Sequence, residues 1–120
     1  MTITLYGIPN CDQVKKARTW LDTHGRPYHF HDFKKAGITT AMIEGWLEHV
    51  SWETLVNRKG TTWRALPDER KAAIIDAASA TALMLESPSI VKRPVLVSSS
   101  SIGLSVQVGF SDATYQQIPA

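Results

Sequence analysis

The chain of 120 residues is long enough for one hydrophobic core and too short for two, so we expect a single domain. Hydrophobic residues make up 43% and charged residues 20%, which excludes a disordered or low-complexity chain. The 13 basic and 11 acidic residues give a net charge of +2, too small to indicate direct nucleic-acid binding. The sequence has neither a membrane-length apolar run nor a secretory signal pattern, so we expect a cytoplasmic protein without membrane partners.

The first third of the sequence has the pattern of a strand, a helix and a second strand. Residues 2–6 alternate between polar and apolar side chains and end at Gly7, which predicts a short strand and a turn. Beyond Cys11 the apolar residues recur at helical spacing until Gly25, which predicts a helix. A second strand is predicted over residues 28–33. A strand-helix-strand unit of this length favours a parallel pair of strands.

The middle of the chain, from about residue 34 to residue 88, is predicted to be a helical insertion. Thr39 and Thr40 are candidate caps of an amphipathic helix over residues 43–50. Pro67 is expected at the first position of a further helix, where its missing N–H costs nothing.

The end of the helical segment is rich in alanine. Residues 70–85 are predicted to form two helices with a break at Ser79, and Pro88 is expected to close the segment. Because neither a repeat nor a linker interrupts the sequence, we interpret residues 1–120 as one domain that contains the insertion.

The last quarter of the chain returns to strand patterns. Two short β-type runs, residues 94–97 and 102–108, flank a serine-rich stretch at 98–101 that we interpret as the loop of a hairpin. Residues 112–118 are predicted to form a final short helix. The predicted fold class is therefore α/β, in the order β-α-β, helical insertion, β-β-α.

The chemistry that the sequence predicts is centred on Cys11, which lies between the first strand and the first helix. A cysteine at a helix start meets unpaired backbone N–H groups and the positive end of the helix dipole. Both favour the reactive thiolate and can lower the pKa from about 8.5 into the range of about 3.5 to 7.5. The alternative, a small buried hydrophobic residue, is the commoner role of a cysteine but fits this position less well.

The predicted site has one thiol, because Val14 occupies the place of the second cysteine in a Cys-x-x-Cys motif. A mixed disulfide on Cys11 must then be released by a second molecule, and glutathione is the most abundant cytosolic thiol. Residues 57–60 and 92–94 contain clusters of cations that could bind an anionic partner, although such clusters are usually only solvated surface.

Two histidines, His29 and His31, lie two residues apart in the predicted second strand and therefore on one face. Such a pair could bind a metal, but a polar strand face is the commoner explanation. We propose no metal site from the sequence.

Three segments resemble the ArsC/Spx/YffB family of thioredoxin-fold proteins, and its YffB branch most of all. They are residues 5–17 (LYGIPNCDQVKKA), 55–64 (LVNRKGTTWR) and 88–95 (PSIVKRPV). They occur in the family's order, and the resemblance covers almost the whole chain. It implies a thioredoxin-like mixed β-sheet with a helical insertion, which agrees with the order of elements read from the residues.

The resemblance also implies a set of site residues. Cys11 would be the nucleophile, and Pro94 would be a cis-proline that faces the thiol. Arg58 and Arg93 would lie beside Cys11. The full set expected to bind the substrate or glutathione is Arg58, Arg93, Lys15, Asn10 and Pro94.

The function expected from these residues is that of a glutathione-dependent thiol or disulfide reductase, with glutathione as co-substrate and no metal. Glutaredoxin is a further expected partner, and the substrate would be a small molecule or a protein thiol. One alternative is arsenate reduction at the same cysteine. The family's glutathione- and glutaredoxin-coupled arsenate reductases carry a third arginine after a glycine near the C-terminus, whereas Phe110 follows Gly109 here. A second alternative is a noncatalytic transcription regulator like Spx, which typically has the Cys-x-x-Cys that Val14 breaks.

Overall fold

The structure, a computed structural model, describes residues 2–101 and 103–118. Strands lie towards both ends of the chain, and the middle is helical. In chain order the elements are β1 (Thr2–Gly7), α1 (Asp12–Thr23), β2 (His29–Asp32), α2 (Phe33–Ala36), α3 (Thr40–Leu47), α4 (Trp52–Leu55), α5 (Thr61–Arg64), α6 (Asp68–Ala72), α7 (Ala77–Glu86), a 3₁₀ helix (Pro88–Ile90), β3 (Val95–Ser100), β4 (Gly103–Val108) and α8 (Asp112–Tyr115).

The four strands form one mixed sheet in the order β2-β1-β3-β4. β1 pairs with β2 in parallel, as the strand-helix-strand pattern predicts, while β3 is antiparallel to both β1 and β4. The predicted α/β class is therefore confirmed. None of the helices that the structure describes is long and apolar enough to cross a membrane.

The chain forms two compact units, which we describe separately. One comprises the residues up to 37 together with those from 93 onward, and the other comprises residues 38–92. The first unit contains the sheet with α1, α2 and α8, and the second contains the helices α3 to α7. The single domain with an insertion at about 34–88 stays a prediction.

The first unit has a core between one face of the sheet and α1. The alternation read in residues 2–6 buries Ile3 and Leu5 on this face of β1. Each fully buried leucine contributes about 1.5–3 kcal/mol relative to an exposed one. The core cluster consists of Ile3, Leu5, Ala17, Trp20, Leu21, Leu96, Tyr115 and Ile118.

The second strand is shorter than predicted at both ends. It was expected over residues 28–33, but Phe33 is the first residue of α2. The reason is local, because the Asp32 carboxylate accepts the N–H of Lys34 at 2.8 Å and caps a short helix instead of continuing the strand.

In the second unit, α3 begins as predicted, with the Thr39 side chain accepting the N–H of Met42 at 3.2 Å. Thr40 is the first helical residue and not the cap. The helix was expected over residues 43–50 but ends at Leu47. Ile43 and Trp46 are buried, as their spacing predicts.

Two predictions about the later helices are wrong. Pro67 is the N-cap of α6 and not its first helical residue. The break expected at Ser79 lies earlier, between Ala72 and Ala77. Ser79 instead completes a capping box, since Asp76 accepts its N–H at 2.8 Å and Ser79 Oγ accepts the N–H of Asp76 at 3.1 Å. In a helix interior, the hydroxyl of a serine competes for backbone hydrogen bonds and can break the helix. Three residues after an aspartate N-cap, the same hydroxyl satisfies a free backbone N–H and helps the helix to start.

The predicted hairpin at the end of the chain is confirmed, but its loop is shorter than expected. Ser98, Ser99 and Ser100 belong to β3 and pair with β4, so they are not loop residues. The strand begins at Val95, one residue after the predicted start, and Ile102, predicted to begin the next strand, lies outside the described residues. The final helix, expected over residues 112–118, ends at Tyr115.

Gly7 lets the end of β1 lie against the first turns of α1. A Cβ atom at this position would lie 2.8 Å from Cγ2 of Val14, which is inside van der Waals contact. Val14 is fully buried, and its β-branched side chain has little freedom to move away. The glycine therefore fixes how closely the helix packs on the strand that precedes it.

We predict that Gly7→Ala lowers the free energy of unfolding by about 1–3 kcal/mol, because the new methyl group overpacks the Val14 contact. The matched control is Gly45→Ala in α3, where a Cβ would meet nothing within 4 Å. That substitution should raise stability by up to about 1 kcal/mol through helix propensity. Urea denaturation measures both, and a neutral or stabilising Gly7→Ala would contradict the close packing.

Candidate active site

Cys11 is the N-cap residue of α1, where unpaired amide N–H groups converge. Its backbone is extended (φ −142°, ψ 126°), and its carbonyl oxygen accepts the N–H of Lys15 at 2.9 Å. Its side chain makes no capping hydrogen bond. A thiol sulfur is a weak acceptor, so the thiolate is the form that the amides of the helix start stabilise.

The electrostatic surroundings of Cys11 favour ionisation overall. Burial, the largest single effect, raises the pKa of the thiol. The N–H of Val14, a hydrogen bond from Arg93, the N–H of Gln13 and the positive charge of Arg93 each lower it. Together these four effects outweigh burial, so the pKa of Cys11 lies below its ordinary value. The residue is half-buried, which leaves the sulfur within reach of a disulfide.

Arg93 and Pro94 lead into β3. The peptide bond between them is cis, as the resemblance implies, and the Pro94 carbonyl accepts the N–H of Gly109 at 2.8 Å. Pro94 is buried and Arg93 is half-buried. The structure therefore brings Arg93 to Cys11, from a segment more than eighty positions later in the chain.

Arg58 lies in the second unit, in the loop between α4 and α5. Its guanidinium is 3.7 Å from the carboxylate of Glu53 and 5.9 Å from the ring centre of Trp52. It lines a cavity of about 260 Å³ together with Lys59 and Lys92. Both predicted cation clusters thus contribute to one basic cavity of this unit, and the role of Arg58 towards Cys11 stays a prediction.

Asn10 and Lys15 flank the cysteine in the sequence, and both are exposed. Asn10 lies in the bend before α1, and Lys15 lies in the first turns of the helix. Phe110, at the expected position of a third arginine, is half-buried, with its ring centre 4.8 Å from that of Tyr115. This chain therefore has an aromatic contact at the position where the resemblance implies an arginine in the arsenate reductases.

The structure also shows a groove along α1 that the sequence interpretation missed, with a volume of about 510 Å³. Trp20 is buried, although its edge reaches the groove. We call this feature the α1 groove. Its lining includes Lys15, Lys16, Thr19, Trp20, Thr23 and Phe110.

Of the two histidines of β2, His31 has local contacts. His31 Nε2 lies 2.7 Å from the carbonyl oxygen of Gly37, and its ring packs 5.0 Å from that of Tyr6. Within residues 2–101 and 103–118, no three histidine, cysteine or acidic side chains are grouped as a metal site would require.

We predict that alkylation of Cys11 by iodoacetamide has a pH midpoint below the value of about 8.5 for a free thiol. Arg93→Ala should raise this midpoint, because it removes a hydrogen bond and a positive charge from the thiolate, while the amides of Gln13 and Val14 keep part of the effect. Arg93→Lys should raise it less. The control is Lys35→Ala on α2, a lysine that does not contribute to the shift.

A midpoint at or above that of a free thiol in the native protein would contradict the electrostatic argument. Equal midpoints for Arg93→Ala and Lys35→Ala would show that Arg93 does not act on the sulfur.

Comparison with known proteins agrees with the fold and the motifs. The model of the ArsC family matches residues 6–118. A solved structure of a YffB protein is 45% identical, covers 96% of each chain and has a TM-score of 0.86. The solution structure of an arsenate reductase (ArsC) related protein from Brucella melitensis is 50% identical, with 97% of this chain and 92% of that chain covered and a TM-score of 0.73.

A similarity to regulators is also present. The global transcriptional regulator Spx 1 of Lactococcus lactis is 27% identical over 117 residues, which is 92% of this chain and 83% of the regulator. The architecture is the thioredoxin-like fold of these relatives, with a mixed four-stranded sheet. The chain belongs to the ArsC family.

Proposed function

We propose that this protein is a cytoplasmic glutathione-dependent thiol or disulfide reductase in which Cys11 is the nucleophile. The observation that carries the proposal is the environment of the sulfur, which the Val14 and Gln13 amides and Arg93 stabilise as a thiolate. A thiolate attacks disulfide sulfur, whereas a thiol does not. A lowered pKa also makes Cys11 a good leaving group when the intermediate is released.

The reaction has two exchange steps. In the first, the Cys11 thiolate attacks the glutathione sulfur of a mixed disulfide. The Cys11–glutathione bond forms, the substrate disulfide breaks, and the substrate leaves as a thiolate that takes a proton from water. In the second, the thiolate of another glutathione attacks the glutathione sulfur on Cys11. Oxidised glutathione leaves, and the Cys11 thiolate is restored.

The need for external glutathione follows from the cysteine count. The chain contains one cysteine, so no second thiol of the same chain can resolve the intermediate. Glutaredoxin is the protein that could take over this second step. The reductant in this proposal is therefore glutathione itself or a protein that glutathione reduces.

The remaining site residues bind and orient in this proposal. Arg93 stays beside the sulfur in both steps and offsets the negative charge that passes between sulfur atoms. Arg58 binds a carboxylate of glutathione or of the substrate. Asn10, Lys15 and Pro94 complete the surface that receives the glutathione.

Two other functions are tested against this one. Arsenate reduction is suggested by the similarity to the Brucella melitensis protein, and regulation of transcription by the similarity to Spx 1. A regulator would capture its partner in a Cys11→Ser variant as well as in the native protein. A reductase loses all turnover in that variant.

We predict that incubation with oxidised glutathione adds one glutathione to Cys11 and that reduced glutathione removes it. Mass spectrometry of the intact protein and of its peptides measures both steps. The Cys11→Ser variant should show no adduct and no reduction of a small glutathionylated disulfide. An unmodified native protein with no turnover would contradict the proposed function.

We also predict that arsenate reduction with glutathione and glutaredoxin is weak compared with reduction of a glutathionylated substrate. An oxyanion needs several fixed cations, and Phe110 stands where a third would lie. Phe110→Arg should raise arsenate turnover, whereas Phe110→Leu, which also removes the aromatic contact, should not. Strong arsenate turnover by the native protein would reverse this order of substrates.

A further inference from the structure

The α1 groove has a fixed aromatic floor. Trp20 is 8% exposed, and its ring meets that of Tyr115 edge-on at 5.5 Å, while Phe110 meets the same tyrosine ring at 4.8 Å. The ring of His24 stacks on that of Trp20, with 3.8 Å between their centres, and His24 Nδ1 lies 2.8 Å from the carbonyl oxygen of Trp20. The floor is therefore preformed, and the groove volume of about 510 Å³ is within the range of ligand sites.

The charged side chains of the groove that are available to a ligand are positive. Lys15 and Lys16 are exposed, and neither forms an ion pair with a described residue. The one carboxylate of the lining, Asp112, is already engaged. Its Oδ1 accepts the indole N–H of Trp20 at 2.7 Å, and its Oδ2 accepts an amide N–H of Gln116 at 2.7 Å. The complementary ligand is anionic near the lysines and apolar over the rings.

The groove begins near the thiol and runs away from it. Lys15, Thr19 and Thr23 follow Cys11 at intervals of four positions, which places them along one face of α1. At a rise of 1.5 Å per residue, Thr23 lies roughly 18 Å beyond Cys11. A glutathione attached to Cys11 reaches roughly 10–12 Å from the sulfur, counting the disulfide, the cysteine side chain and the γ-linked glutamate. The far part of the groove is out of its range.

We propose that the α1 groove binds an acidic and apolar segment of a protein substrate whose glutathionylated cysteine reacts at Cys11. Acidic side chains of the segment pair with Lys16, and a large apolar side chain packs on Trp20 and Phe110. The inference rests on the proposed reductase function, and it adds the class of substrate. Binding in the α1 groove would make the protein selective among mixed disulfides of proteins, through contacts that are remote from the sulfur.

The test uses two glutathionylated peptides of equal length. In one, glutamates and leucines flank the cysteine, and in the other lysines replace the glutamates. The native protein should reduce the acidic peptide with a kcat/KM about three- to tenfold higher, and the difference should lie in KM, because these contacts do not change during sulfur exchange.

The charge-reversal variant Lys16→Glu should lose the preference for the acidic peptide, and its kcat/KM for the basic peptide should rise. The matched control is Lys35→Glu on α2, also an exposed lysine but outside the groove, which should keep the preference of the native protein. Equal kcat/KM values for the two peptides, or equal effects of the two variants, would overturn the proposal.

The mixed disulfide of glutathione with 2-mercaptoethanol separates this proposal from the proposed function, since it is too small to reach the far part of the groove. If the native protein reduces it but does not distinguish the peptides, the groove proposal fails and the reductase function stands. If it reduces neither, the reductase function fails. NMR titration of the Cys11→Ser protein with the acidic peptide then decides on the groove, because shifted amides from Lys16 to Thr23 support it and unshifted ones overturn it.

Discussion

The packing of α1 on the end of β1 is the contact on which the site depends. Gly7 has no side chain, so the strand comes within reach of Val14 in the first turns of the helix. Only four residues are left between the strand and the helix, and Cys11 is the last of them. The sulfur is therefore held where the free amides of Gln13 and Val14 converge, by the same packing that builds the core of this unit.

Partial burial of Cys11 has two opposing effects, and the site requires both. Burial raises the pKa, which disfavours the thiolate, but it also reduces the screening of Arg93 by water and so strengthens the pairing. A fully exposed thiol would gain little from one arginine, and a fully buried one could not meet a disulfide. The half-buried position satisfies both requirements.

The parts of the fold that short-range patterns determine were predictable. The alternation of polar and apolar side chains in residues 2–6 predicted β1, and the helical spacing of apolar residues after Cys11 predicted α1. Boundaries set by side-chain hydrogen bonds were missed, as at Asp32, which ends β2, and at Ser79, which starts a helix that it was expected to break. Ser98 to Ser100 look like a loop by composition, yet cross-strand pairing with β4 places them in the sheet.

The site was predictable where a short stretch of sequence around a residue indicates its role. Cys11 follows from its position between a strand and a helix, whereas Arg93 follows from the resemblance of residues 88–95 to the family. The α1 groove has no local signal, because the bond that ties Trp20 to Asp112 joins residues 92 positions apart.

The two ends of helix α1 have different roles in the proposed function, one in the reactivity of the thiol and the other in the binding of the substrate. Its first turn and Arg93 act on the sulfur, and in the proposed function a change there alters thiolate formation and hence kcat for every disulfide. Its last turn, from Trp20 to Thr23, lies beyond the reach of a glutathione bound to Cys11, and in the proposed function it contacts only a larger substrate. For a protein substrate that binds there as proposed, the binding energy is the same before and during exchange, so it would select substrates through KM and leave the chemistry of the thiol unchanged.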